Sequence, residues 1–171
     1  MNMSQKPIIF CDFDGVLCHD RFWRSLSSDQ YEKVQEYLFK SNPDVVNDWM
    51  RGKYSAEEIN EKVSENTAIN FDILWDTFVK DCKTMSVSID ALERLNALRD
   101  RYTVILVTGN MDSFSRFTRP AANLDQYFDH ISNSFEESIL KTDENGRIFI
   151  KFAEQYNVPI GSCYVLDDSR N

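Results

Sequence analysis

Asp12 and Asp14 lie two residues apart in the stretch IIFCDFDGVLC, directly after an apolar run, with Gly15 next. An Asp-Gly pair is a common turn signal, so taken alone this is an acidic turn as readily as a site. Comparable polar groups recur further along. Thr108, Gly109 and Asn110 follow the apolar run YTVILVT, Lys141 follows a third β-rich stretch, and Asp167 and Asp168 close SCYVLDD. Each has its own plain explanation as a loop, a solvated lysine or a helix cap. Brought to one point, they would gather carboxylates, a hydroxyl, an amine and backbone amides. That set suits phosphoryl transfer. Clustered carboxylates repel one another unless a cation neutralises them, and hard oxygen ligands with room for water favour Mg²⁺ over Zn²⁺. An aspartate held beside Mg²⁺ can act as a nucleophile and form an aspartyl-phosphate. A second carboxylate two residues on can protonate the leaving oxygen and then activate water. Thr108, Lys141 and the amides of Gly109 and Asn110 would donate to the phosphoryl oxygens as charge shifts.

Two other cation chemistries do not fit. An EF-hand loop needs glycine at its sixth position and a later glutamate, whereas Gly15 is the fourth residue counted from Asp12. The only histidines are His19 and His130, and Cys11, Cys18, Cys82 and Cys163 show no paired spacing, which leaves no histidine or thiolate zinc set.

The elements that must position these residues are strands alternating with helices. The runs IIFCD, YTVILVT and SCYVLD are nearly all apolar with little alternation, as expected of strands buried on both faces of a parallel sheet, and FDHIS at 128–132 is a further strand. Helical spacing of Ile89, Leu92, Leu95 and Leu98 precedes the second run, and Ile148, Phe149, Phe152, Ala153 and Tyr156 precede the last. This alternation implies an α/β fold with right-handed crossovers. In such a fold ligands bind beyond the carboxyl ends of the strands, where Asp12, Thr108 and Asp167 all fall.

One connection is far longer than a crossover needs. Residues 18–85 show only helical periodicity, in stripes through Tyr31, Val34 and Leu38, through Val45, Val46, Trp49 and Met50, through Ile59 and Val63, and through Leu74, Trp75, Phe78, Val79 and Cys82. Ser55 and Glu58 fit a capping box at the start of the third. The segment is expected to be an inserted helical subdomain, with residues 1–17 and 86–171 forming a discontinuous core.

The 171 residues are 42% hydrophobic and 27% charged, ordinary for a globular chain with one core. A net charge of −9 argues against nucleic acid or an anionic membrane as partner and leaves room for a small anion in a locally positive pocket. The polar start MNMSQKP leaves no apolar leader region, and no run reaches membrane-spanning length. With thiols in or beside apolar segments, a cytoplasmic protein is expected.

On these residues the sequence resembles the haloacid dehalogenase-like hydrolase superfamily along nearly its whole length. DFDGVL is similar to its first motif, VILVTGN to its second and YVLDDS to its fourth. Lys141 and Lys151 compete for the third-motif lysine; SFEESILK, ending at Lys141, and the IFIKFAEQ helix that follows match the family's register and select Lys141. MRGKYSAEEI, 50–59, resembles part of the helical cap of one large subgroup. The resemblance implies a three-layer Rossmann-like core with a mainly parallel sheet and an inserted helical cap. It implies Asp12 as nucleophile, Asp14 as acid/base, and Thr108 and Lys141 as phosphate ligands. Mg²⁺ would be held by Asp12, the Asp14 carbonyl, Asp168 directly and Asp167 partly through water. A carboxylate at position 14 favours phosphatases and phosphomutases over dehalogenases, which lack one there.

Two departures accompany the match. KTDENGRIF replaces the usual proline after the lysine with a longer loop, and the family's core continues beyond the acidic pair with a helix and at least one more strand. Ending at Asn171, the chain is expected to lack the C-terminal part of that core, as a truncated product or with a partner over the sheet edge. The expected activity is Mg²⁺-dependent hydrolysis of a small phosphorylated metabolite. A phosphomutase using the same residues, or a phosphate- or protein-binding module that has lost turnover, are the alternatives. The helical insert carries more acidic than basic side chains, which disfavours polyanionic substrates. Arg21 and Arg24, close behind the first motif, are the candidates to meet a second anionic group, though surface pairing with nearby acids explains them as well.

Overall fold

The computed structural model describes residues 6–168. Four parallel strands, β1 (Ile8–Cys11), β2 (Thr103–Thr108), β3 (His130–Asn133) and β4 (Tyr164–Leu166), form one sheet in the order β3-β2-β1-β4. All three pairings are parallel. The α/β, Rossmann-like architecture follows from the period-two alternation of strand side chains. Ile9, Cys11, Val104 and Leu106 face one way and pack with Leu92 and Leu95 of α5 (Ile89–Leu98). Ile8, Phe10, Ile105 and Val107 face the other way and pack with Ile148 and Phe152 of the later helix Arg147–Gln155. The sheet is thus the middle of three layers.

Two strands differ from the sequence expectation. β3 starts at His130 because Asp129 is engaged at the strand's foot, its amide donating to the Val104 carbonyl at 2.8 Å and its carboxylate accepting from the Val104 amide. β4 is apolar but exposed, with Tyr164, Val165 and Leu166 at 55%, 54% and 44%. It is the outermost strand of the described sheet next to β1, and an apolar run does not by itself distinguish a central strand from an outer one.

Between β1 and α5 the chain is helical: α1 (Ser28–Val34) running into a π-helical segment Gln35–Ser41, then α2 (Pro43–Met50), α3 (Ala56–Thr67) and α4 (Phe71–Lys83). Capping boxes start α1 at Ser27 with Gln30 and α3 at Ser55 with Glu58, and Asn70 caps α4. Their apolar faces enclose Trp23, Trp49, Ile59, Leu74 and Phe78, all fully buried. The chain leaves and returns to the sheet side by side, with Cys18 bridged to Val87 and the Ser88 amide bonded to the Leu17 carbonyl. The helical core also takes in Met111, Phe117 and Phe135 from the sheet-bearing part. Asp112 fastens the two: its carboxylate accepts from Trp49 Nε1 at 2.9 Å, the Ala56 amide at 3.1 Å and Arg116 at 2.7 Å.

After β2 come a π-helical segment Phe114–Thr118, the short α6 (Arg119–Ala121), and β3; α7 (Ser134–Glu137) and α8 (Arg147–Gln155) then lead to β4. Among the described residues no helix is long and apolar enough to cross a membrane.

Candidate active site

With the order β3-β2-β1-β4, the chain builds outward from β1 to β3 and then crosses back to β4 on the other side. Crevices at such reversals are where α/β sheets bind ligands. Asp12 follows β1 and Asp167 follows β4, one on each side of that point. The Asp12 amide donates to the Leu166 carbonyl at 2.9 Å, so the first strand's carboxylate is fixed against the fourth strand.

Beyond Asp12 the backbone turns tightly. Cys18 and Leu17 amides both donate to the Phe13 carbonyl, and the Gly15 amide to the Cys18 carbonyl. Phe13 is fully buried against Phe114, with ring centroids 5.0 Å apart. Burying that ring leaves its two neighbours, Asp12 and Asp14, on the opposite side. Gly15 has φ +78°, and a Cβ there would overlap the Asp168 carboxylate. Only glycine combines that backbone with so close an approach.

Lys141 donates to Asp12 Oδ2 and, at 2.7 Å, to Asp167 Oδ2; the Phe13 amide donates to Asp12 Oδ1 at 2.7 Å. Burial pushes the Asp12 carboxyl above its ordinary range, while the bond and charge of Lys141 oppose that push. Burial works to lower Lys141, but its bonds to Asp12 and Asp167 carry it above its usual value. Asp14 is pushed up to about 6, by burial first and by the Asp12 charge second, against Arg21 and Lys141. A carboxyl near neutrality beside one held by a lysine is the division of labour that an acid/base and a nucleophile need.

Oxygen atoms of Asp12, Asp167 and Asp168 lie within 4.8 Å of one another. The set is all hard oxygen, without histidine or thiolate, which fits Mg²⁺. The Asp14 carboxylate is not part of this group; Asn110 Nδ2 donates to it at 2.9 Å.

Thr108 and Asn110 are buried at the end of β2, and Asn110 Nδ2 also reaches Thr108 Oγ1 at 3.5 Å. Asn110 was expected to offer its backbone amide to phosphate. That amide instead donates to Ser134 Oγ at 3.0 Å, and Ser134 Oγ donates back to the Asn110 carbonyl at 3.0 Å. Asn110 therefore enters the site through its side chain. The Gly109 amide has no protein partner among the described residues, and the space beside it is open.

Ser134 and Asn133 are site-shaping residues that sequence reasoning missed. Asn133 Nδ2 donates to the Met111 carbonyl at 2.8 Å, so the end of β3 locks the loop after β2. Ser134 did stand in the SFEESILK stretch, but only as a marker of register.

The two arginines part company. Arg21 lines a cavity that also touches Asp14 and Asn110, with Nη1 3.9 Å from Asp14 Oδ1. Arg24 does not line that cavity. It donates to the carbonyls of Asp81 and Thr84, each at 2.8 Å, and pairs with Asp20 and Asp81, fastening the start of the helical insert to its end.

The solved structures similar to this chain share its fold. The HAD family enzyme BT-2542 of Bacteroides thetaiotaomicron, in complex with magnesium and inorganic phosphate, has a TM-score of 0.70 at 16% identity, over 96% of this chain and 86% of that one. A HAD-like family hydrolase from Porphyromonas gingivalis gives 0.69 at 18%, over 98% and 84%. A 2-haloacid dehalogenase from Pseudomonas syringae pv. Tomato DC3000 gives 0.60 at 14%, over 94% and 76%. No curated protein matches the sequence. The model of one protein family, haloacid dehalogenase-like hydrolase, matches residues 7–171. That match spans the core, the helical insert and the whole set of carboxylates, and the chain belongs to the haloacid dehalogenase-like hydrolases.

Proposed function

We propose that the protein is a Mg²⁺-dependent hydrolase of a small phosphomonoester, acting through an aspartyl-phosphate on Asp12 beneath a cap formed by the helices of residues 18–85. The observation that carries this reading is Asp14. Its carboxyl lies beside the cavity, is held by Asn110, and is raised to about 6. A halide leaves without a proton, whereas an alcohol leaving from phosphorus needs one, so an acid at this point serves ester cleavage. The magnesium and phosphate bound to the BT-2542 enzyme support the same reading.

In the first half-reaction an Asp12 carboxylate oxygen bonds to phosphorus as the bond from phosphorus to the alcohol oxygen breaks. That oxygen takes the electron pair and receives the proton of Asp14. In the second, Asp14, now a carboxylate, removes a proton from water as the water oxygen attacks phosphorus. The bond from phosphorus to Asp12 breaks, inorganic phosphate leaves, and Asp14 ends protonated. Lys141 holds the nucleophile ionised and, with Thr108 and the Gly109 amide, donates to the phosphoryl oxygens. Mg²⁺, held by Asp12, Asp167, Asp168 and the Asp14 carbonyl, would supply the positive charge that lets an anionic nucleophile approach an anionic ester.

Hydrolysis of an aryl phosphate, measured with and without Mg²⁺, tests this. Activity is expected only with Mg²⁺, and Asp12→Asn should lower it by at least about 10³-fold. Activity surviving in Asp12→Asn refutes the nucleophile assignment.

A further inference from the structure

A cavity of about 360 Å³ opens between the helical insert and the ends of the strands, reaching Asp14, Gly109 and Asn110 at its inner end. Its walls are Phe22, Phe39, Val46, Met50 and Met111. Phe22 is itself braced by Phe78 at 5.3 Å and Trp49 at 6.2 Å between ring centroids, so this wall is fixed before any ligand arrives.

Besides the groups at the inner end, the polar lining is Arg21 and Gln35. Arg21 Nη1 is held by the carbonyls of Asp20 at 3.0 Å and His19 at 3.3 Å. The rest of its guanidinium, and the Gln35 side-chain amide, have no hydrogen-bond partner among the described residues. Gln35 and Phe39 are four apart on the π-helical segment Gln35–Ser41, a departure from regular helix that proteins often use at functional sites.

We infer that this cavity receives the leaving alcohol, and that the alcohol has a compact apolar body, aromatic or branched aliphatic, ending in a single anionic group met by Arg21. The inference rests on the phosphohydrolase reading above for the reaction and on the cavity for the substrate. A sugar would turn several hydroxyls toward phenylalanine, valine and methionine, each losing its water without gaining a partner. A second phosphate or a nucleotide chain would meet one arginine with Asp14 close by, too little positive charge for a polyanion.

Three primary-alcohol esters separate these cases: 4-carboxybenzyl phosphate, benzyl phosphate and glucose 6-phosphate, compared by kcat/KM with Mg²⁺ present. The expected order is 4-carboxybenzyl over benzyl over glucose 6-phosphate, with about tenfold or more at each step. Arg21→Ala should collapse the ratio of carboxybenzyl to benzyl at least fivefold. Equal rates on all three, or a carboxybenzyl preference untouched in Arg21→Ala, overturn the inference and leave the phosphohydrolase reading standing. Turnover of none of the three by a folded protein counts against that reading instead. The cavity is then judged by ligand-observed NMR with the product alcohols. 4-Carboxybenzyl alcohol should bind at least fivefold more tightly than benzyl alcohol and lose that margin in Arg21→Ala; equal binding overturns the inference.

Discussion

Arg51, the first residue past α2, closes on Asp143 through two bonds, Nη2 to Oδ1 at 2.7 Å and Nε to Oδ2 at 3.2 Å. Asp143 Oδ2 also accepts from the Leu140 amide at 2.9 Å. The pair that fastens the helical insert to the core therefore ties the turn bearing Lys141 as well. Next to it, Gly52 has φ +81°, and a Cβ there would come within 2.8 Å of the Phe135 carbonyl oxygen, so the contact is backbone-close.

Loosening that pair should be felt at phosphate. Arg51→Ala is expected to destabilise the fold by about 1 kcal/mol, the scale of a half-exposed bidentate ion pair. It should also weaken competitive inhibition by inorganic phosphate several-fold, because Lys141 is less well held. Arg51→Lys should recover little, since an ammonium cannot make the two parallel bonds. A double-mutant cycle with Asp143→Ala, read on the phosphate inhibition constant, checks the coupling; strictly additive effects would contradict it.

Metal binding should depend on the absence of a side chain at position 15. Chemical or thermal melts with rising Mg²⁺ should show stabilisation of about 2.7 kcal/mol at a hundredfold excess over Kd. Gly15→Ala forces the Asp168 carboxylate away, so its gain with Mg²⁺ should be largely lost, as in Asp168→Asn. Gly52→Ala is the control. It is strained in the same way but touches Phe135, so its melting temperature should fall while the Mg²⁺ gain persists.

The sheet and its acidic strand ends were legible in the sequence for a physical reason. Buried parallel strands read as unbroken apolar runs, and a carboxylate ending such a run is conspicuous. The four helical stripes of the insert were legible because burial on one face imposes a period. Partners far apart in sequence were not. Arg51 and Asp143 are separated by 92 residues, and nothing local marks them as partners. Arg24 follows the first motif closely, as Arg21 does, yet its carbonyl partners sit at Asp81 and Thr84. Ser134 is a small hydroxyl without periodicity or charge, and its purpose appears only once Asn110 lies beside it.

Thiol reactivity should report the packing around the site. Burial pushes the Cys11 and Cys82 thiols up to about 12 and raises Cys18 too, while all three side chains are buried. Only Cys163 is partly exposed among the four free cysteines. Titration with a disulfide reagent near pH 8 should therefore modify one thiol rapidly, and Cys163→Ser should abolish that phase. Rapid reaction of a second thiol would mean that the core opens on the timescale of labelling.

Asp14 should make the metal-free protein less stable at neutral pH than it need be. Its folded pKa, about 6, lies above the ordinary aspartate value of 3.8, and burial is the largest cause. A carboxyl raised in this way costs stability wherever the folded protein must hold it ionised. The cost is full above about pH 6, shrinks as pH falls through the folded pKa, and vanishes below the unfolded one. In Asp14→Asn the charge is gone, while an amide oxygen can still accept from Asn110. With chelator present, Asp14→Asn should melt higher than wild type at pH 7.5, by about 2–4 °C for each kcal/mol relieved. The two curves should converge by about pH 4, because wild-type Asp14 is then protonated as well. Phosphohydrolase turnover should fall steeply in the same variant. A variant that melts lower at pH 7.5, or a gap that does not close on acidification, would show that burial does not strain this carboxylate.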